Sequence, residues 1–75
     1  MNKKELMTVK KGDSVKHTRY GVCTVLDVSF CFGEFFGMAI QPTTENGKNL
    51  LAIDCGVPNI PVMEDKIKYL KINKS

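Results

Sequence analysis

An alternating run in the first half of the chain constrains the fold more than any other feature. From residue 22 to residue 30 every second position is apolar or a threonine, and the intervening positions are Cys23, Val25, Asp27 and Ser29. A period of two places successive side chains on opposite faces of an extended backbone. Because the run is rich in β-branched residues, it predicts a strand rather than a helix.

The next segments also predict extended structure. Residues 35–41 form a second apolar run, and Pro42 ends it or confines it to a sheet edge. Asn46 and Gly47 favour a two-residue type I′ turn, because both residues tolerate a positive φ. We therefore expect a β-hairpin with its tip at Asn46 and Gly47 and with residues 50–55 as the returning strand.

The last third of the chain is less regular. Pro58 and Pro61 exclude a central strand or the interior of a helix where they stand. Residues 63–66 are expected to form one helical or 3₁₀ turn, and residues 67–72 a final short strand.

Together these segments predict an all-β fold. A chain of 75 residues makes one domain, and a closed barrel would leave no exposed sheet edges. We expect a small five-stranded SH3-like barrel with at most one short helical turn. The barrel would span residues 12–72, after a lysine-rich arm or short added turn at residues 1–11 and before a tail at residues 73–75.

The segment KKGDSVKHTRYGVCTVLDV resembles the opening of the Tudor-like, SH3-type domains, whose pattern is G-D-x-V-x-H-x-x-[FY]-G-x-G-x-V. The matching positions are Gly12, Asp13, Val15, His17, Tyr20, Gly21 and Val25. Such a domain ends the UvrD and PcrA type of DNA helicase, and a related one opens the CarD-like transcription regulators. Cys23 departs from the pattern, which has a second glycine at that position.

The resemblance implies a docking module. In both groups of relatives the domain is associated with binding RNA polymerase, so we expect a small regulator or adaptor that docks on the transcription or DNA-repair machinery. The residues themselves explain the matched positions: Val15 and Val25 suit a core, Gly21 suits an unusual φ, and Asp13 suits a turn cap. His17, Arg19 and Tyr20 then remain as candidate partner contacts on the rim.

The segment FCFGEFFG holds all four phenylalanines within seven residues. Alternation cannot bury every ring, so we expect two in the core and one or two projecting from the loop around Gly33. Exposed phenylalanines are typical anchors of protein interfaces. Phe32 and Phe35 are therefore further candidates for partner binding.

The distribution of charge supports an alternative function. Lysines are concentrated in residues 1–20 and 66–75, whereas the middle of the chain is net acidic. If the two ends lie side by side, they form one basic face that could bind nucleic acid. The residues expected to contribute are Lys10, Lys11, Lys16, Arg19, Lys68 and Lys71.

Catalysis and metal binding find little support in the residues. His17 is the only histidine, and Cys23, Cys31 and Cys55 are not in C-x-x-C pairs, so a zinc site is not expected. No constellation other than His17 with Cys23 could supply a base and a nucleophile. We expect no enzymatic activity, no cofactor, no metal and a cytoplasmic location.

Overall fold

The computed structural model describes residues 1–73 and contains one five-stranded antiparallel sheet. The strands are β1 (Ser14–His17), β2 (Gly21–Cys31), β3 (Glu34–Pro42), β4 (Ile60–Val62) and β5 (Leu70–Ile72). The helices are α1 (Lys3–Leu6), α2 (Glu45–Cys55) and a 3₁₀ helix (Glu64–Tyr69). The strand order is β4-β3-β2-β1-β5, and the sheet is not closed, because β4 and β5 each pair with a single strand. The prediction of a small five-stranded β-fold is confirmed at this level.

The alternating run at residues 22–30 forms the interior of β2, as predicted. Cys23 and Val25 are its buried positions, and Val25 packs with Val15 of β1 in the core. The pairing of β2 with β3 shifts register twice, once between Val25 and Asp27 and once between Ser29 and Phe30. Irregularities of this kind bend and twist a sheet locally, so the β2–β3 hairpin curves.

The prediction of a hairpin at Asn46 and Gly47 is wrong, because both residues lie in the first turn of α2. The side chain of Thr44 caps this helix: its Oγ1 accepts a hydrogen bond from the backbone N–H of Gly47 at 3.1 Å. Gly56 ends the helix in the left-handed conformation, with φ 70°. The returning strand expected at residues 50–55 is therefore helical.

The prediction of at most one short helical turn is also wrong, since α1, α2 and the 3₁₀ helix are all present. Residues 1–11 contain the short helix α1. Asn2 and Glu5 form a reciprocal capping box around α1, and Leu6 and Val9 are buried in the core. Apolar burial holds this lysine-rich segment on the sheet.

Near the end of the chain, the predicted helical turn and final strand are both present, but their boundaries differ from the prediction. The 3₁₀ turn runs to Tyr69, and the last strand begins only at Leu70. Pro61 lies in β4, which is an edge strand where a missing N–H is tolerated. Of the tail predicted at residues 73–75, residues 74 and 75 lie outside the described part of the chain.

One hydrophobic core joins the sheet to the helices. Its buried members are Leu6, Val9, Val15, Tyr20, Cys23, Val25, Met38, Ile40, Leu51, Val62, Ile67 and Leu70. The predicted core positions Val15 and Val25 are confirmed. So are the positive φ of Gly21, at 73°, and the capping role of Asp13, whose Oδ2 accepts from the backbone N–H of Lys10 at 2.8 Å.

Candidate protein-binding surfaces

The turn between β1 and β2 carries His17, Arg19 and Tyr20. Nδ1 of His17 accepts hydrogen bonds from the backbone N–H groups of Arg19 at 3.0 Å and of Tyr20 at 3.4 Å. These bonds hold the histidine inside its own turn. Burial lowers the pKa of His17, which favours the neutral imidazole.

Asp54, near the end of α2, binds this turn. The guanidinium of Arg19 donates through Nε to Oδ2 and through Nη2 to Oδ1, the latter at 3.0 Å. The hydroxyl of Tyr20 also donates to Oδ2 of Asp54, at 2.9 Å. The bidentate guanidinium lowers the pKa of Asp54, and burial together with the Asp54 carboxylate raises the pKa of Tyr20 to about 12. We call this group the Asp54 clamp.

The clamp changes the roles expected for two of the predicted contacts. Tyr20 is buried in the core, and its hydroxyl is bonded to Asp54. Arg19 is exposed, but its charge is matched by Asp54. Asp54 is not predicted from the sequence as a site residue. Residues 50–55 are predicted to form a strand, whereas Asp54 lies near the end of a helix. The combination of a Thr44 cap with a Gly56 stop would have placed it correctly.

Beside the clamp lies an open, mainly apolar groove of about 560 Å³. One wall is β4, through Ile60 and Val62, and another is Tyr69 at the end of the 3₁₀ helix. His17 lies between the tyrosines, with its ring centroid 4.7 Å from that of Tyr20 and 6.1 Å from that of Tyr69. We call this the tyrosine groove.

Two lysines surround the exposed tyrosine of this groove. The ammonium nitrogens of Lys66 and Lys68 lie 5.9 Å and 5.4 Å from the ring centroid of Tyr69, within the range of cation–π attraction. Tyr69 is 38% exposed. The rim of the groove is thus basic and partly aromatic.

The second surface is the phenylalanine hairpin, formed by Phe30, Phe32, Phe35 and Phe36 at the β2–β3 tip. The prediction that two of these rings fill the core is wrong: Phe35 is partly buried and the other three are exposed. The reason is that β1 pairs with β2 only from Gly21 to Thr24, and β4 pairs with β3 only from Met38 to Ile40. The end of the hairpin extends past both neighbours.

The tip of this hairpin has an unusual backbone. Phe32 and Gly33 both have positive φ, 53° and 78°, and they connect the paired residues Cys31 and Glu34. Positive φ at both central residues is the requirement of a type I′ turn. Such a turn favours asparagine and glycine, whereas a bulky residue at positive φ is strained. The phenyl ring of Phe32 is fully exposed.

The residues predicted for nucleic-acid binding are brought together only in part. Lys16 and Lys71 are direct register partners on β1 and β5, and both side chains are exposed. Lys10 and Lys11 are exposed ahead of β1, and Lys68 contacts Tyr69. Arg19 is committed to Asp54.

His17 and Cys23, the pair considered as base and nucleophile, are not cross-strand partners in the sheet. His17 is opposite Gly21 in the sheet, and Cys23 is opposite Val15. The Cys23 thiol is buried, donates to the carbonyl of Gly21 at 3.4 Å, and has a pKa raised by burial to about 11. A thiol in this environment is not a thiolate at neutral pH.

Comparison with protein-family models, with curated proteins and with solved structures finds no match. Among residues 1–73 there is no cluster of three or more histidine, cysteine or carboxylate side chains suited to a metal ion. Within the same residues, no helix has the length and apolar character needed to cross a membrane.

Proposed function

We propose that this chain is a non-enzymatic protein-binding module and that the tip of the phenylalanine hairpin is its partner contact. The observation that carries the proposal is the combination found at Phe32, which is fully exposed and has a φ of 53°. An exposed phenyl ring gains nothing from burial in the isolated chain. A strained φ costs of order 1 kcal/mol. Burial of this ring in a partner would supply the missing apolar burial and offset the strain of the backbone.

The partner class is inferred from the resemblance of residues 12–25 to docking domains of the helicase and CarD-like types. RNA polymerase is the partner that this resemblance favours, and transcription or DNA repair is the process. The architecture is compatible with an SH3-like barrel, since the two edge strands β4 and β5 are linked directly by the 3₁₀ helix. The register shifts between β2 and β3 also support the proposal, because such irregularities bend a sheet.

Phe32→Asn separates binding from folding. Asparagine is favoured before glycine in a type I′ turn, so the variant should gain about 1 kcal/mol of stability, or about 4–8 °C in Tm. Loss of an interface phenylalanine costs about 2 kcal/mol, which is about thirtyfold in Kd. We expect a more stable protein that binds purified RNA polymerase about thirtyfold more weakly, measured by biolayer interferometry and thermal unfolding.

Ile53→Asn is the matched control, because Ile53 is 80% exposed on α2, outside both candidate surfaces. It should leave binding unchanged. If wild-type protein fails to bind the polymerase, the partner assignment is refuted. If Phe32→Asn binds as well as wild type, the contact assignment is refuted.

Nucleic-acid binding is the second candidate function. The observation that favours it is the pairing of Lys16 with Lys71, which places like charges side by side on exposed strands. A phosphate backbone would relieve that repulsion. This alternative predicts that duplex DNA binding falls steeply between 50 and 200 mM salt, by about tenfold or more, and that Lys71→Glu weakens it. Binding that is insensitive to both changes would exclude it.

A further inference from the structure

The tyrosine groove lies beside the start of β2, whereas Phe32 follows its end. The proposed docking function does not use this groove, so the two surfaces can be tested with separate variants. Its volume of about 560 Å³ falls within the range of natural ligand sites, about 300–1,000 Å³. The question is which chemistry it accommodates.

The walls of the groove favour an aliphatic group. Ile60 and Val62 line it from β4, and Pro61 between them adds a third apolar residue. The ring of Tyr69 also lines the groove. Tyr20 has its hydroxyl bonded to Asp54, so it presents no unsatisfied donor that would recognise a nucleobase. A surface of this kind suits apolar side chains of an extended chain.

The charges at the groove favour an anion beside that apolar group. The two charged residues that line it are Arg19 and Lys66, both cations. Arg19 is matched by Asp54. Within residues 1–73, Lys66 and Lys68 make no ion pair, and both nitrogens lie over Tyr69. A carboxylate next to a side chain packed on Tyr69 would meet an unmatched ammonium.

We propose that the tyrosine groove binds an extended segment of another protein in which an aliphatic side chain is adjacent to aspartate or glutamate. The aliphatic group packs between β4 and Tyr69. The adjacent carboxylates pair with Lys66 and Lys68. Because aromatic and apolar contact supplies the affinity and charge supplies the selectivity, binding depends on both parts of the segment.

The test begins with selection of phage-displayed random dodecapeptides on the full chain. We expect enrichment of sequences that place leucine, isoleucine or valine next to aspartate or glutamate. Fluorescein-labelled copies of the selected peptides are then titrated by fluorescence anisotropy against wild type and Lys66→Glu. The substitution should weaken binding at least about tenfold. A copy of each peptide with its acids replaced by lysine should bind Lys66→Glu better than it binds wild type.

Lys11→Glu makes the same change of charge in the turn before β1, outside the groove, and should leave peptide binding unchanged. Tyr69→Ala should abolish peptide binding, while thermal unfolding and Phe32-dependent polymerase binding report that the fold persists. Peptides without the acidic–aliphatic pattern, or equal loss in Lys66→Glu and Lys11→Glu, would overturn the proposal. Self-association through the groove, seen as a dimer in light scattering and lost in Tyr69→Ala, would overturn it too. So would displacement of peptide by duplex DNA.

Discussion

Gly47 of α2 lies directly against the β1–β2 turn. A Cβ built on this glycine would fall far inside van der Waals contact with the backbone carbonyl oxygen of Tyr20. It would also lie 3.0 Å from Oγ1 of Thr44 and 3.1 Å from Cβ of Pro42. In an exposed helix, Gly→Ala stabilises by about 1 kcal/mol. Here Gly47→Ala should destabilise, because the obstructing atom belongs to the backbone.

The magnitude follows from these two opposing effects. Overpacking costs typically about 1–3 kcal/mol, and a backbone carbonyl cannot rotate away as a flexible side chain can. The helix must shift, which strains the cap at Thr44. Setting the upper end of that cost against the gain in helix propensity leaves a net loss of about 2 kcal/mol. For a domain of this size the loss lowers Tm by about 8–16 °C.

Thermal and urea unfolding followed by circular dichroism measure this change. Asn46→Ala is the control, since Asn46 is exposed in the same helical turn and alanine has the higher helix propensity. It should leave stability unchanged or raise it by up to about 0.7 kcal/mol. A type I′ hairpin at these positions would instead lose stability in both variants. Gly47→Ala at wild-type stability or above would refute the close approach.

Two other substitutions and labelling experiments test the packing. Leu6→Ala should cost about 2–5 kcal/mol in unfolding free energy, because Leu6 is fully buried. Met7→Ala is the control: Met7 is 52% exposed, so its substitution should cost under about 1 kcal/mol. Equal losses in the two variants would contradict the packing of α1. Iodoacetamide at pH 8 should alkylate exposed Cys31 and Cys55 in the native protein, and buried Cys23 only after denaturation. Mass spectrometry showing rapid native labelling of Cys23 would contradict its burial.

The sequence predicted the features that depend on local patterns. The alternation around Val25 identified β2, and the glycine at position 21 identified a backbone with positive φ. Asp13 caps its turn as expected, because a short carboxylate bonds the nearby amides regardless of the rest of the fold. Each of these outcomes is set within a few residues.

A hairpin was predicted where the structure has α2, because the local signal there is outweighed by contacts with distant residues. Asn46 and Gly47 carry the strongest short signal for a type I′ turn, yet Thr44 caps a helix there and Tyr20 bonds Asp54 near the end of that helix. Tertiary contact therefore overrides the dipeptide preference. The positive φ angles of a type I′ turn occur instead at Phe32 and Gly33. Glycine suits such a φ, as the loop expected around Gly33 implies, but phenylalanine disfavours it, so this pair lacks the signal that Asn46 and Gly47 carry.

The candidate site was predicted only in part for the same physical reason. His17 and Arg19 lie together because they share a turn, but their partner Asp54 comes from a helix more than thirty residues later in the chain. Tyr69 joins them through the approach of the 3₁₀ helix. Contacts between such distant segments depend on the whole fold, so the tyrosine groove has no local signature.

The pairing of β1 with β5 has a consequence for folding during synthesis. Val15 of β1 is paired with Ile72 of β5. Because β1 leaves the ribosome before β5, it cannot form this pairing until β5 has also emerged. Until residue 72 has emerged, the outer edge of β1 is unpaired, and such edges recruit other chains. Closing this longest loop is entropically costly and comes late. We therefore expect the sheet to be completed only after synthesis has passed β5, with β2 and β3 paired well before.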